Sequence, residues 1–436
     1  MKVLVVGGGG REHSLIWKIV QSPLVERVYC APGNAGIASL AECLAIESAD
    51  VSSLAEFAGR EKIDLTVVGP ELPLSLGLAD ELQRRGMRVF GPTKSAAAIE
   101  ASKIFAKEFM TRHEIPTAEY RVHRSLGAAL AHLEAPSTRY PIVVKADGLA
   151  AGKGVVVAAH AGEATAAVRL MMGQRAFGDA GDAVLVEECL SGHEVSFFAL
   201  CDGTRVVRWP TCQDFKRALD GDLGPNTGGM GGYSPSVYVD AALEKDVFTR
   251  IIEPTVAGMA REGRAYQGIL YAGLMLTERG PMVLEYNARL GDPEAELLLP
   301  RMRSDIVPWL AAAADGALPL DQAIEWRADP AVTVVVASRG YPGVYETGRR
   351  VDGLAEAGEV PGATVFHSGT KRGKSGEIET AGGRVLSVTG VAAQLDAAAR
   401  TAYEAVARIR FDGMMFRRDI ASAEVRRVAG AGEAGV

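Results

Sequence analysis

The sequence predicts a multidomain chain of mixed α/β and α+β class that opens on a doubly wound parallel-sheet domain. Three observations predict it. Strand and helix signals alternate through the first hundred residues, the pattern of a parallel sheet covered on both faces. From Thr93 onward β-branched runs succeed one another with fewer helices between them, as in an α+β unit. The length of 436 residues suits about three domains.

Taken in order, residues 2–6, 25–31, 65–69 and 88–91 read as strands, and 12–21, 51–61 and 79–85 as helices. Residues 94–113 read as one long helix ended by Ile115-Pro116. Strands at 141–146 and 154–159 flank a glycine-rich connection, followed by a helix at 161–172 and a strand at 183–188. Further strands follow at 194–201 and 205–209, then a helix at 246–262. Residues 270–277 and 281–286 read as an antiparallel pair turning at Glu278-Arg279-Gly280, closed by a helix at 300–314. The last third carries strands at 332–338, 364–368 and 384–389 and a helix at 392–408. Residues 429–436 are small and polar enough to fray.

Composition narrows the function. Hydrophobic residues are 48% and charged residues 23%, which suits a folded globular chain rather than a disordered one. The net charge of -7 and the absence of a basic stripe argue against nucleic acid. The longest apolar runs, such as 332–337, are far too short to span a bilayer. The first residues run straight into glycines, unlike a secretory signal. Five cysteines without a CxxC pair make a disulfide framework or zinc site improbable and suit a reducing cytoplasm.

Five motifs carry chemistry. Gly7-Gly8-Gly9-Gly10-Arg11-Glu12 follows a strand and opens a helix, so it offers amides and a helix N-terminus to an anion. It fails the dinucleotide fingerprint, because Glu12 stands at the third glycine and no acidic residue ends the second strand. A phosphate-bearing substrate is the preferred ligand, and a plain tight turn the alternative. Lys145-Ala146-Asp147-Gly148-Leu149-Ala150-Ala151-Gly152-Lys153-Gly154 is not a Walker A loop, since a strand follows it. Such a hairpin can fold over polyphosphate as a flap; a flexible hairpin tip is the alternative. Glu187-Glu188-Cys189-Leu190, with Glu194 after it, could hold a purine edge and ribose hydroxyls or be a solvated acidic turn. Gln213-Asp214-Phe215-Lys216-Arg217, then Gly224-Pro225-Asn226-Thr227-Gly228-Gly229-Met230-Gly231-Gly232, suggests an anion nest or lid. Glu285 and Asn287 stand two apart on a strand and so share a face. Oxygen ligands without His or Cys suit Mg²⁺ or Mn²⁺; an exposed strand face is the alternative. Lysine is scarce, yet Lys103, Lys145, Lys153 and Lys216 all fall in or near these motifs.

In this order, the glycine-rich N-terminus, KADGLAAGKG, EE-x-L, GPNTGGMG and E-x-N-x-R-x-GDPE resemble the glycinamide ribonucleotide synthetase (phosphoribosylamine–glycine ligase) family of the ATP-grasp superfamily. The resemblance runs from Lys2 to about Ile420. It implies an N-terminal glycine-rich α/β domain at 1–100 on the phosphoribosylamine side. An ATP-grasp domain would follow at 101–325, with its flap around 142–190. A C-terminal mixed α/β domain would occupy 326–425, and 426–436 would be a frayed tail.

The activity implied is the joining of glycine to 5-phosphoribosylamine through a glycyl phosphate, with ATP as co-substrate and Mg²⁺ or Mn²⁺ as metal, in a cytoplasmic monomer of purine biosynthesis. Carried over residue by residue, Lys103, Lys145, Gly152, Lys153 and Gly154 would contact the ATP phosphates. Glu187, Glu188, Cys189 and Leu190 would hold adenine, and Glu194 the ribose. Arg217 and Asn226 would line the ATP or acyl-phosphate side. Glu285 and Asn287 would hold the metal. Arg289, Asp292 and Asp214, with Arg217, would carry catalysis. Gly8, Gly9, Gly10, Arg11, Glu12, Asn34, Gly69, Pro70 and Glu71 would receive phosphoribosylamine. Phosphoryl transfer needs positioning and charge neutralisation, which these residue types supply.

Two positions depart from the family pattern. Phe215 stands where the family has histidine, and Ala288-Arg289-Leu290 where it has Cys-Arg-Phe. Another ATP-grasp ligase or carboxylase acting on a purine precursor is the alternative enzyme. A non-catalytic nucleotide sensor is the alternative class, opposed by the joint presence of Lys145, Glu285 and Asn287.

Overall fold

Strand β1 (Lys2–Gly7) is a run of β-branched and leucine residues buried on both faces, which is how a central parallel strand reads. It pairs in parallel with β2 (Arg27–Pro32) on one side and β4 (Leu65–Val68) on the other. With β3 (Glu42–Cys43) and β5 (Val89–Phe90) the order is β3-β2-β1-β4-β5, all parallel. Helices α1 (Gly10–Ile19), α2 (Val51–Glu61), α3 (Glu71–Leu76) and α4 (Leu78–Arg84) form the crossovers. This is the predicted doubly wound domain. Its strand order reverses at β1, so the loops after β1, β2 and β4 meet at one crevice. The computed structural model describes residues 1–149, 154–319 and 321–433.

The helix predicted over 94–113 is two helices, α5 (Lys94–Ala101) and α6 (Lys103–Arg112). Ser102 leaves the helical region at φ -133°, ψ 114° and caps α6 by accepting from Phe105 N–H at 3.0 Å. Its hydroxyl also donates to Asp147 at 3.0 Å. A serine that caps a helix end competes with helix continuity, and the break puts Lys103 in the first turn of α6.

The flap sheet contains β6 (Tyr120–His123), β7 (Ile142–Ala146), β8 (Val155–Ala158) and β9 (Val184–Glu188) in the order β6-β9-β7-β8. All its pairs are antiparallel. It buries one face against the helices Leu126–Leu133 and Ala161–Val168.

A second, larger sheet carries β10 (His193–Gly203), β11 (Val206–Asp214), β14 (Gly231–Ser234), β15 (Tyr266–Thr277) and β16 (Gly280–Asn287). Between β11 and β14 lies the small hairpin β12 (Arg217–Leu219) and β13 (Leu223–Asn226). The sheet runs on through β17 (Ala331–Ser338), β21 (Arg384–Val391) and β18 (Ala363–His367), with β22 (Met414–Met415) against β17. The pair β19 (Thr370–Arg372) and β20 (Ile378–Thr380) stands apart. The central and C-terminal units therefore share one sheet, joined at β14, which bonds β11 on one edge and β17 on the other.

Two further expectations are corrected. The helix predicted from 300 starts at Ile306, capped by the Asp305 carboxylate, after a short turn at Leu299–Arg301. Of the tail expected to fray from 426, residues 434–436 lie outside the described residues, and the rest, up to Glu433, continues the helix Ser422–Glu433. Val425 packs on the C-terminal core and anchors its first turn.

Candidate active site

A cleft of about 570 Å³ opens where the three parts of the chain meet. The β1–α1 turn supplies Arg11 and the end of β4 supplies Pro70 and Glu71. Helix α6 supplies Lys103 and Lys107, and the flap supplies Lys145, Gly154 and Glu187. The large sheet supplies Asp214, Lys216, Glu285 and Asn287, followed by Arg289, Asp292 and Glu294. Tyr341, Tyr345 and Arg384 close the C-terminal side.

Glu285 and Asn287 both reach the cleft from one face of β16. Tyr286, between them, points the other way and shares a hydrogen bond with Thr255 at 2.7 Å. Enclosure alone would raise the Glu285 carboxyl, but Lys216, Lys145 and Lys103 outweigh it and hold it below the ordinary value. An ionised carboxylate beside a carboxamide oxygen is a donor set a hard divalent cation accepts. No cluster of three or more His, Cys, Asp or Glu suited to a metal occurs among the described residues, so phosphate oxygens or water would complete the shell.

The lysines are held by carboxylates. Lys145 Nζ lies 3.0 Å from Glu187 and donates to the Leu284 carbonyl at 3.1 Å. Lys107 reaches the same Glu187 oxygen at 3.1 Å, and burial lowers its amine to about 8. Lys216 is paired with Glu194. Burial would lower Lys216, but Glu194, Asp214 and Glu285 raise it well above the lysine range. Enclosure pushes the Asp214 carboxyl up, against the pull of Lys216.

Arg289 sits between two acids, 3.2 Å from Glu71 and 3.1 Å from Glu100. Enclosure would raise Glu71, yet Arg289 and Arg11 bring it down to about 2. Asp292 pairs with Arg384 at 3.1 Å, and its other oxygen faces the Arg11 N–H at 3.5 Å.

The crevice of the first domain adjoins this cleft through Arg11. Gly7 has φ +123°, a conformation that suits glycine. The Glu12 carboxylate accepts from Gly9 N–H and from Arg11 Nε, each at 2.6 Å, so it caps α1 itself. Any side chain at Gly69 would collide with Glu12, which accounts for glycine there.

The structure thus gathers Arg11, Pro70, Glu71, Lys103, Lys145, Gly154, Glu187, Asp214, Asn226, Glu285, Asn287, Arg289 and Asp292 around one space. Gly8, Gly9, Gly10, Glu12 and Gly69 lie in the neighbouring crevice rather than on the cleft wall. Asn34 is fully engaged: it donates to the carbonyls of Gly8 and His367 at 2.9 and 2.8 Å and accepts from Gly36 and Ile37. Its side chain shapes the turn, with both amide protons and Oδ1 already engaged. Arg217 is exposed on the β12–β13 hairpin and donates to Gly224 O at 2.8 Å, outside the cleft lining. Glu188 leans away to Arg279 at 2.8 Å. Cys189 and Leu190, at the β9–β10 connection, and Glu194, near the start of β10, are half-buried and off the wall. Gly152 and Lys153 lie outside the described residues.

Several wall residues escaped sequence reasoning. Lys107 follows Lys103 by one helical turn, a spacing that could have revealed it. Glu294 was in the GDPE motif without a role; Tyr271 donates to it at 2.8 Å. Glu100, Tyr341, Tyr345 and Arg384 belong to no local pattern and come together only through the fold.

Comparison with known proteins agrees with this architecture. Residues 1–100, 101–295 and 331–423 match, in turn, the N domain, the ATP-grasp (A) domain and the C domain of phosphoribosylglycinamide synthetase. A phosphoribosylamine–glycine ligase of Caldanaerobacter subterraneus subsp. tengcongensis is 47% identical over 422 residues, 97% of this chain and 100% of that protein. One from Salmonella typhimurium is 48% identical over 430 residues, 98% of this chain and 99% of that protein. The crystal structure of a Thermotoga maritima phosphoribosylamine–glycine ligase superposes with a TM-score of 0.83 at 33% identity, covering 97% of this chain and 100% of that one. A Campylobacter jejuni biotin carboxylase shares the fold alone, with a TM-score of 0.72 at 13% identity over 95% of this chain and 92% of that one. The chain belongs to the phosphoribosylglycinamide synthetase family.

Proposed function

We propose that this chain joins glycine to 5-phosphoribosylamine at the expense of ATP, giving glycinamide ribonucleotide, ADP and phosphate. A glycine carboxylate oxygen attacks the γ-phosphorus and ADP leaves. The phosphoribosylamine nitrogen then attacks the glycyl carbonyl carbon. The bond from that carbon to the phosphate oxygen breaks, phosphate departs, and the nitrogen gives up a proton.

The observation that carries this reading is the cleft walled by all three parts of the chain, which brings Lys103, Lys145, Glu285 and Asn287 together with Arg11 and Arg289 around one space. Lys145 and Lys103 neutralise the polyphosphate. Arg289, fixed by Glu71 and Glu100, holds charge where the acyl phosphate forms. Preorganised charge of this kind is the main lever in phosphoryl transfer. A divalent cation, Mg²⁺ or Mn²⁺, held by Glu285 and Asn287 supplies further neutralisation of phosphate charge when bound. The β1–α1 turn presents backbone N–H groups and Arg11 to the ribose phosphate. The flap shelters the acyl phosphate from water.

The five cysteines are free thiols and no helix among the described residues is long and apolar enough to cross a membrane. We place the enzyme in the cytoplasm as a monomer. Phosphate release from ATP, with glycine and phosphoribosylamine omitted in turn, tests the reaction. Turnover should need all three substrates. Steady ATP hydrolysis without phosphoribosylamine, at the rate of the full reaction, would overturn the ligase reading.

A further inference from the structure

The C-terminal domain reaches into the cleft with two side chains that clamp one residue of the glycine-rich loop, one on each of its two peptide groups. Arg384 donates to the Gly228 carbonyl at 2.8 Å, and Tyr341 Oη accepts from the Gly228 N–H at 3.0 Å. The same guanidinium nitrogen donates to the Asp292 carbonyl at 2.7 Å and lies 3.1 Å from the Asp292 carboxylate. The next residue, Gly229, has φ +115° and lies so close to Pro293 that a Cβ there would stand 2.6 Å from the ring. One cation thus ties together two segments of the central domain that are 64 residues apart (292 − 228). Neither segment bonds the other directly through these groups.

Resting on the ligase reading above, we propose that Arg384 is a positioning residue for the reaction, with Tyr341 as its companion. It sets the Asp292 turn and the Gly228 peptide at a fixed distance, so the wall facing the acyl phosphate is complete only when the C-terminal domain is docked. All of these contacts come from Nη1, and the rigid planar guanidinium suits this task because it fixes where that one nitrogen aims its N–H bonds, which a freely rotating ammonium does not. Nothing in the proposal requires Arg384 to touch a substrate. Its effect is geometric, and small displacements of a catalytic wall reduce turnover steeply.

The test measures kcat and the KM of each substrate for wild type, Arg384→Ala, Arg384→Lys and Tyr341→Phe, with thermal melts alongside. Arg384→Ala should lower kcat about a hundredfold while KM for ATP moves by less than about threefold. Added guanidinium ion should restore about tenfold of that loss, and Arg384→Lys should fall between the two. Tyr341→Phe removes one oxygen; it should lower kcat several-fold at an unchanged melting temperature. If Arg384→Ala does not fold, that last variant carries the test. A kcat in Arg384→Ala within about threefold of wild type would overturn the proposal, as would a loss that guanidinium does not relieve. A kcat in Tyr341→Phe equal to wild type would overturn the companion role and, where Arg384→Ala does not fold, the proposal itself. Failure of the ligase reading would instead show in the wild type, as turnover independent of glycine or phosphoribosylamine.

Discussion

Lys145 and Glu187 stand on neighbouring antiparallel strands, with Lys145 opposite Leu185 and Glu187 opposite Val143, and their charged ends meet at 3.0 Å. The lysine that should meet ATP is thus already restrained by a buried acid, which also holds Lys107. Glu187 is expected to help hold adenine; its side chain also anchors two ammonium groups.

Glu187→Gln should therefore destabilise the fold more than it weakens adenine binding. Two buried lysines would lose their counter-charge, and breaking such a pair costs about 3–5 kcal/mol. Denaturant unfolding at pH 7 reads this directly. An unchanged midpoint would mean that the lysines are solvated in place.

Glu285→Ala and Asn287→Ala should each raise the Mg²⁺ concentration needed for half-maximal activity by about tenfold or more, the scale seen for groups that support a metal. A Mg²⁺ titration at saturating ATP checks it. If both variants keep the wild-type half-saturation point, that strand face is structural.

Arg11→Ala should weaken the product, glycinamide ribonucleotide, by about tenfold or more and ADP by less than about threefold. Arg11 joins the β1–α1 turn to the cleft, with its Nη1 on the Leu290 carbonyl at 3.2 Å. Calorimetric titration of both ligands separates the outcomes. Equal losses would indicate damage to the fold.

Acid should loosen the contact between the first and third domains. His13 accepts from the His367 N–H at 2.7 Å. Burial, aided by the neighbouring ring, lowers His13 to about 3, and burial lowers His367 to about 4. Unfolded, both titrate near 6.5. Above that pH neither state is charged and stability is complete. As pH falls below it, the unfolded chain takes up protons that the folded chain refuses. Stability should then decline down to about pH 4, by roughly 1.4 kcal/mol per pH unit for each ring. Urea midpoints from pH 7.5 to 5 measure the slope. His13→Asn, which keeps an acceptor, should flatten it; a slope equal to wild type would show that other groups dominate.

Phe215→His should change kcat by less than about tenfold, below the 10²–10⁴ of a general base. The Phe215 side chain packs with the C-terminal core, its ring 5.0 Å from the Arg417 guanidinium, and is not part of the cleft wall. A pH–rate profile of both forms decides it. A hundredfold gain with a new limb near the histidine range would show that the position is catalytic.

Much of this was legible before any coordinates. Strand β1 and its glycines, the hairpin Lys145 opens and the Glu285–Asn287 pair are local patterns, and period and turn chemistry reveal them. The break at Ser102 was hidden because helical spacing continues across it, and only Asp147, from another element, selects the cap. Lys216 and Arg217 are adjacent, yet Lys216, in the link between β11 and β12, reaches the cleft while Arg217, the first residue of β12, faces solvent. Arg384 carries no sequence signal at all, because its role depends on Gly228 and Asp292 arriving from elsewhere.

Strand β14 has a mechanical consequence. Because it is hydrogen-bonded on both edges, the central and C-terminal units cannot swing apart without tearing a ladder. Among the described residues, neither the four-stranded flap sheet nor the five-stranded sheet of the first domain shares a ladder with the large sheet. We expect opening and closing over the nucleotide to leave the β14 junction rigid while the flap moves against the large sheet. A probe pair spanning β11 and β17 should report a constant separation through the catalytic cycle, and one spanning β7 and β16 a changing one.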